Sequence, residues 1–433
     1  MNNFQCIKSA LLGEESFTLK HESSLTVTVT QKPFQTAYAV LAVGYGSLDT
    51  VFTTDDGRTH KTPEGIAHFL EHKLFEMPNG TDAFEEFAAL GASANAYTSA
   101  SRTCYLFSCT SNFEESLEVL LRMVFTPHFT DASVRREADI IEQEFLAYED
   151  QAPSKLYRLL MNNLFEKHGL RENICGTAES IRKITPELLY ECYRAFYRPS
   201  NMVLSVSGNV CPDTVKKVLD RVLPTLSIEN GEAAKSEKVD ERGAVACAKS
   251  RLSMLIARPI LQIGIKDVGY REDQIFMTRR HLLMNIVMNA LTGASSPLYE
   301  SLQDCGLLQD KFSTDYGDEA GCAYALIAAE TDEPDRVIES VYEALEKAAE
   351  TPPDQREFER LRRCAYADFV RLFDSSEEIA EEMLDNFFTG VHLLDVGEII
   401  LSLTYEEFTS LIKEVFRRPY LTSAVVYPLQ ENR

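Results

Sequence analysis

The sequence has no run of about 18 uninterrupted apolar residues, so it offers no membrane-spanning helix. Its start, MNNFQCIKSALLGEESF, lacks the charged-then-apolar layout of a secretory leader. Together these absences make the cytoplasm the expected compartment. Positive charge is scarce, with 43 Lys and Arg against 67 Asp and Glu and a formal net charge of −24. Binding phosphates requires clustered cations that displace counterions, so neither nucleic acid nor a membrane is an expected partner. Ten cysteines, from Cys6 to Cys364, include no C-x-x-C pair. They read as free thiols, mostly small core residues, rather than a disulfide framework.

What is present is a long, ordinary globular chain of 433 residues with 45% hydrophobic and 25% charged content. Single cores rarely grow past about 250–300 residues, so two or three domains are expected. The segment 226–242, LSIENGEAAKSEKVDER, has no helical or strand period and reads as a linker between residues 1–225 and 243–433. The ends of these halves resemble each other. TPELLYECYRAFYRPSNMVLSVSGNV starts at Thr185 and TYEEFTSLIKEVFRRPYLTSAVVYPL at Thr404. In each, a Thr cap opens a helical pattern, an aromatic-x-Arg-Pro corner closes it, and a β-rich run follows. An internal duplication is the expected origin. Strand-like runs such as SSLTVTVTQ, TAYAVLAVGYGS and RTCYLFSCTS mix with helical ones without regular βαβ alternation. The expected fold class is α+β: two homologous mixed α/β-sandwich domains, each a mainly antiparallel sheet with helices packed on one side.

Residues 63–77, PEGIAHFLEHKLFEM, carry the chemistry. Pro63 followed by a helical period predicts a helix bearing His68, Glu71 and His72. Histidines four apart emerge on one face and can share a metal, and a carboxylate between them can take a proton from a water that the metal acidifies. This H-x-x-E-H order is the inverzincin signature. Two imidazoles need a third protein ligand. RREADIIEQEFLAYED offers Glu137 and Glu144, seven apart on a helix that Ile140, Ile141 and Phe145 would anchor in the core. Elsewhere, Cys104 and Cys109 fall on opposite faces of a strand, and His60 and His128 read as solvent-facing.

These segments resemble the insulinase/pitrilysin family of zinc metallopeptidases, which includes the mitochondrial processing peptidase. The resemblance rests on the H-x-x-E-H helix, the downstream E-x6-E helix and the intervening GASANAYTSASRTCY. The flanking G-x-A-H-F-L-E-H-x-L-F-E, the Y-R-P-S-N-M corner and the duplicated halves extend it over the whole chain, most closely to small two-domain bacterial members. It implies a hydrolase, an endopeptidase holding one zinc per chain through His68, His72 and Glu144. Glu71 matches the family's general base, and Glu137 a glutamate that orients a ligating imidazole. From the donors alone, two imidazoles and one carboxylate suit several divalent metals.

The resemblance also implies an edge strand that pairs with substrate backbone, matched by Gly91, Asn95, Ala96 and Thr98. Small side chains at Ala92, Ser93, Ala94 and Ala96 leave that backbone accessible to an added peptide strand. Substrates would be short or unfolded peptides admitted to an enclosed chamber. One departure stands out. Where family members acting alone carry an Arg and a Tyr seven apart, SSPLYESLQDCGLLQDKF has Gln303 and Asp310. Glutamine lacks the charged fork, and an ionised aspartate repels an oxyanion. The expected partner is therefore a homologous second subunit supplying that pair, in a heterodimer or a homodimer. The other reading is a non-catalytic subunit that binds peptides or a partner without cutting.

Overall fold

The structure, a computed structural model, describes residues 3–237, 239–318 and 321–429. It divides into two compact units, each drawn from three stretches of chain. The first unit is Met1–Phe145, Asn173–Glu237 and Phe369–Gly397, and the second is Leu146–Glu172, Lys238–Asp368 and Glu398–Arg433. These units differ from a division into contiguous halves, because each includes a segment from the other half of the sequence. The segment 226–242 is also partly structured. Lys235–Ser236 pairs as a short strand with Val51–Thr53, and the Glu241 carboxylate accepts from the Glu166, Lys167 and His168 amides.

The first unit is built on seven strands: β1 (Gln5–Ser9), β2 (Glu14–Lys20), β3 (Thr26–Gln31), β4 (Ala37–Val43), β7 (Ser93–Thr98), β8 (Thr103–Cys109) and β9 (Met202–Gly208). A small second sheet joins β5 (Val51–Thr53), β6 (Thr59–Lys61) and β10 (Lys235–Ser236). The large sheet runs β1-β2-β3-β9-β4-β8-β7, antiparallel throughout except for β3 beside β9. The second unit contains β11 (Lys249–Met254), β12 (Ile260–Asp267), β13 (Ser313–Gly317), β14 (Ala323–Glu330) and β15 (Leu421–Pro428). Their order is β11-β15-β12-β14-β13, with one parallel pair, β11 beside β15. This is the arrangement β3-β9-β4-β8-β7 repeated, with the parallel pair in the same place. The matching sequence ends fold alike too. Thr185 caps the helix Pro186–Phe196 before β9, and Thr404 caps Tyr405–Val415 before β15.

The central strands of the two larger sheets are covered on both faces, which explains the continuous apolar run AYAVLAV in β4. Ala39, Leu41 and Val43 face the main core, while Tyr38, Val40 and Ala42 face a smaller cluster. The covering helix on that second face comes from the C-terminal half. Ser376–Thr389 presents Ala380, Leu384 and Phe388 at i, i+4, i+8 against Tyr38, Val40, Ala42 and Val203. The second unit receives the reciprocal helix, Ala152–Leu164, whose Leu156, Leu160 and Leu164 lie at the same spacing against Tyr324, Leu326, Ala424 and Val426. Each fully buried leucine contributes about 1.5–3 kcal/mol, enough to hold such a helix on its sheet.

Cys104 and Cys109 do lie in clusters on opposite faces of β8, and no disulfide forms among the described residues. Five cysteines are buried, but Cys6, Cys211, Cys247 and Cys305 are exposed. His60 is half-buried, against expectation: its ring stacks on Phe52 and pairs with Glu191. His128 is half-buried too. Among the described residues no helix is long and apolar enough to cross a membrane.

Candidate metal centre

The H-x-x-E-H segment forms the helix Ile66–Leu74. Ile66, Ala67, Phe69, Leu70 and Leu74 are all in the core, which fixes the helix's rotation and turns His68, Glu71 and His72 to one side. Gly65 begins the helix at φ 87°, a conformation that disfavours a side chain, and a Cβ there would collide with the Cys175 carbonyl. The residue is thus required where the loop around Cys175 closes over the helix N-terminus.

The second helix, Asp131–Glu149, approaches the open side of the first. Ser133, Val134, Ala138 and Ile141 bury it and Phe145 packs against the core. Ile140, expected to anchor the helix, is instead 55% exposed, because it lies one residue round from the buried stripe. This docking brings one donor atom each from His68, His72 and Glu144 within 4.8 Å of one another. Glu144 lies 3.8 Å from His68 Nε2 and 3.5 Å from His72 Nε2. Both separations exceed a normal N–H···O bond. They are close to the roughly 3.4 Å between ligand atoms around a tetrahedral zinc with bonds of about 2.1 Å. The donor set therefore fits a divalent ion.

Around these donors, Glu137 Oε1 lies 3.0 Å from His72 Nδ1, so it can accept that proton and leave Nε2 toward the shared space. His68 has no such help: its Nδ1 is buried without a hydrogen-bond partner among the described residues. Cys175 Sγ lies 3.9 Å from its Nε2. Burial, with the neighbouring His72, pushes His68 down to about 3, so it stays the neutral imidazole that a metal requires. For His72 burial also acts downward, but the Glu137 hydrogen bond and the charges of Glu71, Glu137 and Glu144 leave it raised. Three carboxylates around a partly enclosed space make it favourable to a cation.

Glu71 is buried, which raises its carboxyl, and the Thr98 hydroxyl opposes that by donating to Glu71 Oε2 at 2.6 Å. Thr98 ends β7, the edge strand of the sheet. Ala94 and Ala96 pack with Thr98's side of the strand against the core, whereas Tyr97 faces the opposite cluster. Asn95 is exposed, and its Oδ1 accepts from the Ala96 amide at 2.9 Å. Gly91 lies outside the strand: it is the left-handed cap of the helix Ala83–Leu90, with φ 74°. In the second unit, Gln303 lies on the helix Pro297–Asp304, and both it and Asp310 are exposed.

Sequence reasoning missed three features of this centre. The Thr98–Glu71 bond joins residues on separate elements, and nothing local signals it. Cys175 is one of ten scattered cysteines. Lys73, next to His72, is completely buried, whereas a lysine on an amphipathic helix ordinarily reads as solvated.

Sequence comparison bears on what this geometry belongs to. The sequence model described as Insulinase (Peptidase family M16) matches residues 25–178, and the Peptidase M16 inactive domain matches 183–363. The chain belongs to the insulinase family, peptidase family M16. This M16 chain is 37% identical over 416 residues to the uncharacterized zinc protease YmfH of Bacillus subtilis, covering 95% of this chain and 97% of that one. It is 27% identical to a probable mitochondrial-processing peptidase subunit beta of Schizosaccharomyces pombe, covering 90% and 84%. Among solved structures, an M16-like peptidase from Alicyclobacillus acidocaldarius superimposes with a TM-score of 0.93 at 32% identity, over 97% of this chain and 100% of that chain.

Proposed function

We propose that this M16 chain is a zinc-dependent endopeptidase acting on short or unfolded peptides. The observation that carries the reading is the convergence of His68, His72 and Glu144 donors within 4.8 Å, beside a buried Glu71 tied to an edge strand. His68, His72 and Glu144 hold one zinc, and Glu137 orients His72. Bound there, zinc supplies Lewis acidity to a water and to the scissile carbonyl. Glu71 removes a proton from that water and returns it to the leaving amine. Asn95, Ala96 and Ala94 on β7 receive the peptide backbone as an added strand, with Thr98 holding the base at its end and Gly91 setting the turn into the strand.

Gln303 lacks the charged fork of an Arg and an ionised Asp310 would repel a developing oxyanion, so neither replaces the Arg and Tyr pair, and a homologous subunit, a second gene product or another copy, supplies it. The name of the Schizosaccharomyces pombe relative, a subunit, supports a paired arrangement. The same two positions favour a second reading, in which the chain is a non-catalytic, peptide-binding subunit. The site of action in either case is the cytoplasm.

Elemental analysis of the purified wild type beside His72→Ala tests the metal: about one equivalent of zinc in the first and none in the second is expected. No metal in either after zinc reconstitution would remove the reading. Peptide cleavage, assayed with and without a homologous subunit, tests the rest. Undiminished cleavage by Glu71→Gln would remove the base, and full activity of the chain alone would remove the partner.

A further inference from the structure

Lys73 is the residue of the metal helix that the proposed chemistry leaves unused. It follows His72 directly, and its side chain is 0% exposed. A charge taken wholly out of water is costly unless it is paired, so a buried ammonium marks a place where the fold needs positive charge. Its partners show what that place is. Nζ bonds the carboxylate of Glu76, one turn further along the chain, and lies 3.9 Å from Glu137 Oε2. The second contact is ionic rather than a hydrogen bond. Glu137 thus divides its two oxygens: Oε1 faces His72 Nδ1 at 3.0 Å and Oε2 faces Lys73. Glu76 is further held by Arg136 at 3.5 Å, and Arg136 is the neighbour of Glu137. The run Arg136, Glu76, Lys73, Glu137 alternates in charge and ends on His72, crossing three times between the carboxylate helix and the segment of the metal helix and its end.

We infer that Lys73 is a positioning residue for the metal: it holds Glu137 in place as the acceptor for His72, so that His72 Nε2 is fixed for coordination. The inference rests on the proposed zinc site. A carboxylate facing a histidine in a partly buried setting, with no cation behind it, would be free to swing toward water, and His72 would lose its orientation. A fixed cation on the far oxygen prevents this. Among the described residues Lys73 pairs with Glu76 and Glu137 and not with Glu71 or the three donors, so its effect should appear first in metal affinity.

The test is a competition titration against a chromophoric zinc chelator, using wild type, Lys73→Met, Glu137→Gln and the double variant, with folding checked by circular dichroism. Lys73→Met should weaken zinc binding by up to about 10–100-fold, the range for losing an outer partner of a metal ligand such as Glu137 itself. In the Glu137→Gln background the same change should have almost no further effect, because the carboxylate through which Lys73 acts is already neutral. Unchanged affinity of Lys73→Met, or an undiminished loss in the Glu137→Gln background, overturns the inference. The double variant leaves neither Lys73 nor Glu137 charged, so its comparison with Glu137→Gln decides the matter even where Lys73→Met alone does not fold. A wild type that takes up no zinc overturns the zinc site and this inference together. The variants speak to Lys73 alone.

Discussion

The Thr98 hydroxyl donates to Glu71 Oε2 at 2.6 Å and so fastens the last residue of an edge strand to a carboxylate on the metal helix. A peptide pairing with β7 would be placed in register with the carboxylate proposed to carry a proton from water to its leaving amine. Strand position and proton transfer are then set by one bond.

Removing that hydroxyl should slow cleavage without emptying the site. A hydrogen bond to a charged group is worth about 1.5–3 kcal/mol, so Thr98→Val should lower kcat by about tenfold or more. Thr98→Ser should retain most of it. Steady-state kinetics beside zinc analysis check this: equal kcat for wild type and Thr98→Val would show that the bond does not position Glu71.

Zinc should stabilise the folded chain. A ligand at 100 times its Kd adds about 2.7 kcal/mol when it binds only the native state. The melting temperature of the zinc-loaded protein should therefore drop on chelation and recover on adding zinc. His72→Ala should melt at the same temperature with and without chelator.

Glu241 should make the second unit sensitive to acid. Burial tends to raise its carboxyl, but amides of Glu166 and Lys167 at 2.6 and 2.8 Å and the Lys266 ammonium at 3.1 Å hold it down at about 2. A carboxyl lower in the folded state than its ordinary 4.5 contributes stability that is complete above 4.5 and fades as pH falls toward 2. Glu241→Gln should lower stability near neutral pH by about 2 kcal/mol and flatten the pH dependence of urea unfolding across that window. A variant with the wild-type slope would show that this group is not its source.

The helix Ser376–Thr389 should be indispensable to the first unit. Tyr38 and Tyr97 donate to Glu381 at 2.6 and 2.7 Å, from a central strand and from the edge strand β7. Glu381→Ala should cost about 2–4 kcal/mol through two lost charge-assisted bonds. A fragment ending at residue 225 leaves Tyr38, Val40, Ala42 and Val203 uncovered and should bind hydrophobic dyes or aggregate. A soluble, cooperatively melting fragment would contradict this.

The signals that were legible were local ones. Residues three and four apart share a helix face whatever surrounds them, so His68, Glu71 and His72 could be grouped from spacing alone. The capping threonines and the Arg-Pro corners marked the duplication because caps and turns are set by nearest neighbours. The apolar stripe of Asp131–Glu149 was harder to read. Adjacent Ile140 and Ile141 cannot both face the core of one helix, and only packing shows that Ile141 is inside and Ile140 outside.

The sequence by itself determined an acidic chain of two related α+β halves, with two imidazoles and a carboxylate on one helix. The family resemblance named Glu137 and Glu144, 65 and 72 positions beyond His72, as partners of that helix; the tertiary structure decided how they meet it, that Lys73 is buried, and that each of the two larger sheets is covered by a helix from the other half. The physical reason is common to all three. A stripe at i, i+4, i+8 says that a helix will be buried, but nothing in it names the sheet that will bury it. That choice belongs to contacts between surfaces far apart in the chain.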